Sequence, residues 1–183
     1  MRTKHLASVI GVCFVFLSSS IAAWSGEEAP FASVKEGKPF PYCCLPHKGP
    51  LTDMGTVIGE FMQAMQGQGL FASVRGTMIG VYYNSPADAK PADLAWEVGF
   101  PVAEGAAPKL PLVVKEWKFP ACAICMHKGA YEKTGETIRR LIDWAKANGY
   151  AVAGPTLERY LNNPMQVKPE ELLTEIWIPV KKK

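Results

Sequence analysis

The sequence predicts an α+β domain made of two tandem strand-helix-strand-strand modules, related by a pseudo-twofold axis, with a ligand cleft between the halves. Three observations carry this reading. First, an apolar strand holding one carboxylate occurs twice, as Leu94-Ala95-Trp96-Glu97-Val98-Gly99-Phe100-Pro101-Val102 and as Leu172-Leu173-Thr174-Glu175-Ile176-Trp177-Ile178-Pro179-Val180, each glutamate four residues before a proline. Second, short motifs return after about eighty residues: Val34-Lys35-Glu36 as Val114-Lys115-Glu116, Phe40-Pro41 as Phe119-Pro120, His47-Lys48-Gly49 as His127-Lys128-Gly129, and Gly69 as Gly149. Third, Ile58, Phe61, Met62 and Met65 return as Ile138, Leu141, Ile142 and Ala145, the i, i+3, i+4, i+7 stripe of an amphipathic helix.

The chain begins with an export pattern. Met1-Arg2-Thr3-Lys4-His5 is basic, residues 6–17 are apolar but too few to span a bilayer, and residues 18–25 are rich in small side chains. We therefore expect residues 1–25 to be a secretory signal peptide, the protein to be periplasmic or secreted, and no membrane span to remain after cleavage. Residues 26–33 read as a lead-in, 34–102 as the first repeat, 103–112 as a linker, 113–180 as the second repeat and 181–183 as a solvated basic tail.

The whole chain has 183 residues, 48% hydrophobic and 20% charged, which suits one globular domain or two small fused modules and excludes a disordered composition. Of 20 basic and 17 acidic residues, Arg2 and Lys4 leave with the signal, so the mature chain is nearly balanced and carries no electrostatic footprint for nucleic acid.

Within the first repeat, a strand at 42–45 leads through His47-Lys48-Gly49 into a helix over 52–66 closed by Gly67 and Gly69, followed by a β-branched and aromatic strand at 77–83 and a loop at 86–93. The second repeat has extended chain over 113–126 broken at Pro120, a helix over 132–148 capped by Gly149, and a middle strand at 157–161. Each small sheet is expected to bury one face under its own helix, the free faces meeting at the seam. By alternation Glu97 and Glu175 point away from the helices, and Glu175 shares its face with Trp177.

The runs His127-Lys128-Gly129-Ala130-Tyr131-Glu132, the Trp144 helix ending at Gly149-Tyr150, and Glu170-Glu171-Leu172-Leu173-Thr174-Glu175-Ile176-Trp177-Ile178-Pro179-Val180 resemble the GyrI-like small-molecule-binding domain, the effector-binding part of many AraC- and MerR-type regulators. The resemblance covers essentially the whole mature chain. It implies a cleft between halves with a glutamate matching Glu175 at its base, pairing with cationic or polar ligands among aromatic walls. The chain departs from the regulators in that no helix-turn-helix region precedes the domain and an export signal does.

The residues support the same pocket on their own chemistry. A carboxylate held in a strand beside Trp177 either stays protonated or waits for a cation, and aromatic faces favour amines and quaternary ammonium groups. We take Glu175, Trp177, Glu97, Tyr160 and Tyr82 as ligand-binding candidates; Tyr82 and Tyr83 cannot both face the pocket, and Tyr150 is read as a staple on the helix end.

Once Cys13 leaves with the signal, Cys43, Cys44, Cys122 and Cys125 form an even set that an oxidising compartment would allow to pair in a pattern the sequence leaves open, with Cys43 and Cys122 at near-equivalent repeat positions. Cys43-Cys44-x-x-His47 and Cys122-x-x-Cys125-x-His127 also have metal-like spacing, but residues three apart on a strand face opposite sides, so no metal or cofactor is assigned. His47 and His127 are read as helix-start residues bonded to local backbone.

The leading function is an exported, non-enzymatic binder of a hydrophobic, cationic small molecule. An alternative drawn from the resemblance is hydrolysis of strained toxic molecules, with Glu175 as base assisted by Glu97 or Tyr160. A third is a metal or haem carrier, the fold being similar to that of the SOUL haem-binding proteins.

Overall fold

The computed structural model describes residues 31–183; the expected signal peptide and most of the lead-in lie outside the described residues. The chain runs β1 (Ala32–Glu36), β2 (Phe40–Lys48), α1 (Met54–Gly67), β3 (Ile79–Tyr82), β4 (Ala95–Pro101), β5 (Val113–Trp117), β6 (Ala121–Lys128), α2 (Thr134–Ala147), β7 (Tyr150–Val152), β8 (Thr156–Tyr160) and β9 (Leu173–Lys182). All strand pairs are antiparallel, in the order β1-β6-β9-β8-β3-β4-β2-β5, with the short β7 added to β9.

This topology corrects the expected pair of separate sheets. The halves join edge to edge through β3 and β8 into one sheet. The first strand of each half is moreover exchanged: β1 pairs with β6 of the second half and β5 with β2 of the first. The basic tail is also revised, because Lys181 and Lys182 end β9, where they pair in register with Ala151 and Tyr150 of β7. Tyr150 accordingly opens a strand.

Both helices lie on one side of the sheet, α1 against β2 and β4, α2 against β6, β7 and β9. A single 3-10 turn precedes each, Leu51–Asp53 and Tyr131–Lys133, so the α-helical turns begin two residues later than the periodicity predicts. Gly69 and Gly149 adopt left-handed φ values of 65° and 80° just beyond the helix ends, where a side chain would be strained. The buried faces are rotated slightly from the predicted stripes. In α1, Val57, Phe61 and Met65 are buried while Met62 is exposed; in α2 the buried set is Thr134, Thr137, Leu141 and Ala145.

Three apolar clusters result. Cys43, Leu45, Phe61, Met65, Trp96 and Val98 pack under α1, and Ala123, Cys125, Leu141, Ile176 and Ile178 under α2. The third lies on the side away from the helices and contains Tyr42, Cys44, Ile79, Val81, Trp117, Cys122, Ile124 and Leu157, with Phe40, Phe119 and Trp177 packed on it. Four strand spacings separate β2 from β9, about 19 Å in a flat sheet. Yet the Phe40 and Trp177 rings meet edge to face at 6.4 Å. The sheet therefore curls around the third cluster, and side chains fill the cleft expected between the halves.

Candidate functional site

The middle of the sheet is the β3–β8 pair, with Gly80 opposite Glu158. Alternation along β8 sends Leu157 and Arg159 to the curled side and Glu158 and Tyr160 to the helix side. Tyr82 of β3 also faces the helix side, packing against the α1 cluster. The two helices sit chiefly over the outer strands, leaving this junction as the floor between them.

Glu158 is 5% exposed. The Tyr160 hydroxyl donates to its carboxylate at 3.1 Å, and Tyr82 and Tyr160 hydroxyl oxygens are 2.7 Å apart, so Tyr82 donates in turn to Tyr160. Tyr131, in the turn before α2, sets its ring edge-on to Tyr160 with centroids 5.3 Å apart. Burial pushes the Glu158 carboxyl up to about 7, against the lowering effect of hydrogen bonds from Tyr160 and Thr134. Burial and the neighbouring acid raise the pKa values of Tyr82 and Tyr131, and burial with the neighbouring Tyr82 and Glu158 raises that of Tyr160, so all three phenols stay neutral. Among the described residues no lysine, arginine or histidine is ion-paired with Glu158.

The two glutamates singled out from the sequence are already neutralised from within the chain. Glu97, 1% exposed, accepts the hydroxyls of Tyr42 at 2.7 Å and Tyr83 at 2.9 Å on one oxygen and the Lys115 ammonium at 2.5 Å on the other. Burial alone would lower the Lys115 pKa, but its hydrogen bonds to Glu97 and Tyr83 hold it above the ordinary lysine range. Glu175 accepts Arg159 Nη1 at 2.6 Å and Trp177 Nε1 at 2.9 Å, with the guanidinium 5.4 Å from the Trp177 ring. Glu175 also borders a groove of about 240 Å³ with Phe31, Lys35, Ile124 and Met126 near the β1 edge.

The five predicted site residues therefore do not form one site. Tyr82 and Tyr160 meet on the helix side, whereas Glu97, Glu175 and Trp177 lie on the curled side, where Lys115 and Arg159 take the place assigned to a ligand cation. The acid that completes the tyrosine pair is Glu158, which the sequence reading passed over along with Tyr131. Its signal was present: Glu158 lies two residues before Tyr160 and so shares its face.

Among the described residues the four cysteines, Cys43, Cys44, Cys122 and Cys125, are free, buried thiols. Cys43 packs under α1 and Cys122 on the opposite side of the sheet, which corrects the expected bond between them. Burial pushes the thiols of Cys122 and Cys125 up to about 11. Cys125 and His127 share the α2 face while Cys122 faces away, so the metal-like spacing is split by alternation. Among the described residues no three His, Cys, Asp or Glu side chains converge. His47 bonds Asp53 at 3.1 Å, and His127 bonds Thr137 at 2.8 Å and the Ala130 carbonyl at 3.2 Å, tying each strand end to the following helix.

An acid without a counter-ion, ringed by phenols at the centre of an α+β sheet, suits a small-molecule-binding domain. The chain belongs to the family described as the GyrI-like small molecule binding domain, whose family model matches residues 32–181. The EcmrR C-terminal domain superimposes with a TM-score of 0.74 at 18% identity, covering 83% of this chain and 98% of that one. A hydrolase from Listeria innocua follows the same fold at a TM-score of 0.60 and 13% identity, covering 84% and 94%. SAV2435, solved bound to tetraphenylphosphonium, does so at 0.53 and 14%, covering 82% and 93%. No match was found among curated protein sequences.

Proposed function

We propose that this protein binds a hydrophobic, cationic small molecule at Glu158, between Tyr82, Tyr131 and Tyr160 on the helix side of the β3–β8 junction. The observation that carries the reading is the contrast among three acids: Glu97 has Lys115 and Glu175 has Arg159, but among the described residues Glu158 is buried with hydroxyl partners only. A buried carboxylate without a cation gains more from a bound cation than one already paired. Phenol faces add cation–π attraction of about 0.5–2 kcal/mol. The tetraphenylphosphonium complex of a protein with this fold is consistent with that chemistry.

Calorimetric titration with tetraphenylphosphonium tests it. Glu158→Gln is expected to weaken binding by about tenfold or more, and Glu175→Gln by less than about twofold. The reverse pattern would return the site to the curled face.

The same geometry favours a second reading, hydrolysis of the bound molecule. A carboxyl poised near 7 beside two phenols has the protonation behaviour of a general base. Ligand recovered intact after prolonged incubation at neutral pH would reject this reading in favour of reversible binding. We further propose that the protein acts outside the cytoplasm, on the basic, apolar and small-residue pattern of residues 1–25. N-terminal sequencing of the protein from its host cell should show a start near residue 26.

A further inference from the structure

The Glu158 site has an asymmetry that the sheet register exposes. Tyr82 and Tyr160 are 78 residues apart, the same interval that separates Glu97 from Glu175, and their hydroxyls touch. At that interval the counterpart of Glu158 is Gly80, and these two residues face each other directly across the β3–β8 pair. At this register position one half thus supplies an acid and the other no side chain.

Gly80 is not required by the backbone, since its φ is not in the left-handed range. It is required by what lies over it. A Cβ at this position would stand 2.7 Å from the Tyr160 hydroxyl oxygen and 2.9 Å from that of Tyr82. Both are closer than real Cβ contacts, so the hydroxyls would have to move. Glycine inside a strand weakens it and commonly marks a close approach by another group.

We propose that Gly80 is the positioning residue of the Glu158 site: its missing side chain seats the Tyr82–Tyr160 hydroxyl pair over Glu158 and leaves a single carboxylate there, so that each chain takes one monovalent cation. This rests on the ligand reading above. The hydroxyl pair closes the floor over Gly80 and stays within hydrogen-bonding reach of the Glu158 carboxylate.

The test is Gly80→Ala, whose added methyl meets the ends of two side chains that can rotate away, so the fold is expected to survive. Two readouts are needed, the second independent of any ligand. Tetraphenylphosphonium should bind wild-type protein at one per chain and Gly80→Ala about tenfold more weakly or worse, with unchanged circular dichroism. The Glu158 carboxyl, followed by carbon NMR, should titrate at higher pH in Gly80→Ala, because it loses the Tyr160 hydrogen bond and gains an apolar neighbour.

If wild-type protein binds tetraphenylphosphonium and Gly80→Ala binds it equally well, the positioning role is overturned while the ligand reading stands. If wild-type protein binds none, the ligand reading fails; the NMR arm then decides, an upward shift supporting Gly80 as the seat of the hydroxyl pair and an unmoved titration rejecting it.

Discussion

The Lys115 ammonium lies 2.5 Å from the carboxylate of Glu97, although Lys115 stands on the first strand of the second half and Glu97 on the last strand of the first. This contact follows from the strand exchange that lays β5 beside β2. It makes the carboxylate of one half depend on the other for its counter-ion.

Removing that counter-ion should be costly. Lys115→Met leaves Glu97 buried with only hydroxyl donors, and we expect a loss of about 2–3 kcal/mol in urea unfolding. Adding Glu97→Gln to the same protein should restore most of it. A single-variant cost below about 0.5 kcal/mol would mean that the pair is not structural.

The equivalent change on the other half should matter less. Arg159 and Glu175 side chains are 32% and 17% exposed, so water shares in solvating them, and Arg159→Met is expected to cost about 1 kcal/mol or less. Trp177 emission should shift in that variant, since the guanidinium leaves its ring.

Stability should also depend on pH through Glu158. Its folded-state pKa of about 7 exceeds the ordinary 4.5, so between those values the folded protein holds more protons than the unfolded chain. Stability therefore falls as pH rises from about 4.5 to 7, by about 2–3 kcal/mol, and Glu158→Gln should flatten that part of the profile. Cation affinity runs the opposite way, rising up to about pH 8 as the carboxyl ionises. A stability profile unchanged by Glu158→Gln would show that the group titrates normally.

The thiols give a simple check on the fold. Cys43, Cys44, Cys122 and Cys125 are expected to resist iodoacetamide in native protein and to be alkylated in guanidinium without prior reduction, as peptide mapping would show. A linked pair of peptides would contradict this arrangement.

Neighbouring residues of α1 should behave differently on truncation. Phe61→Ala removes a fully buried ring tilted against Phe100 with centroids 5.6 Å apart and should cost about 3–5 kcal/mol, whereas exposed Met62→Ala should stay within about 0.5 kcal/mol.

Much of this protein was legible from its sequence by itself. Hydrophobic periodicity and glycine caps located both helices and most strands, and the matched runs around Glu97 and Glu175 marked the two strands that end the halves, because these signals are local in the chain. Alternation also put both glutamates on the side away from the helices. What only the tertiary structure decided was which strand lies beside which: β5 next to β2, β1 next to β6, and β3 against β8. Those pairings join residues far apart in sequence, and they alone determine that Lys115 neutralises Glu97, that Arg159 neutralises Glu175, and that Glu158, opposite Gly80, has no cation among the described residues.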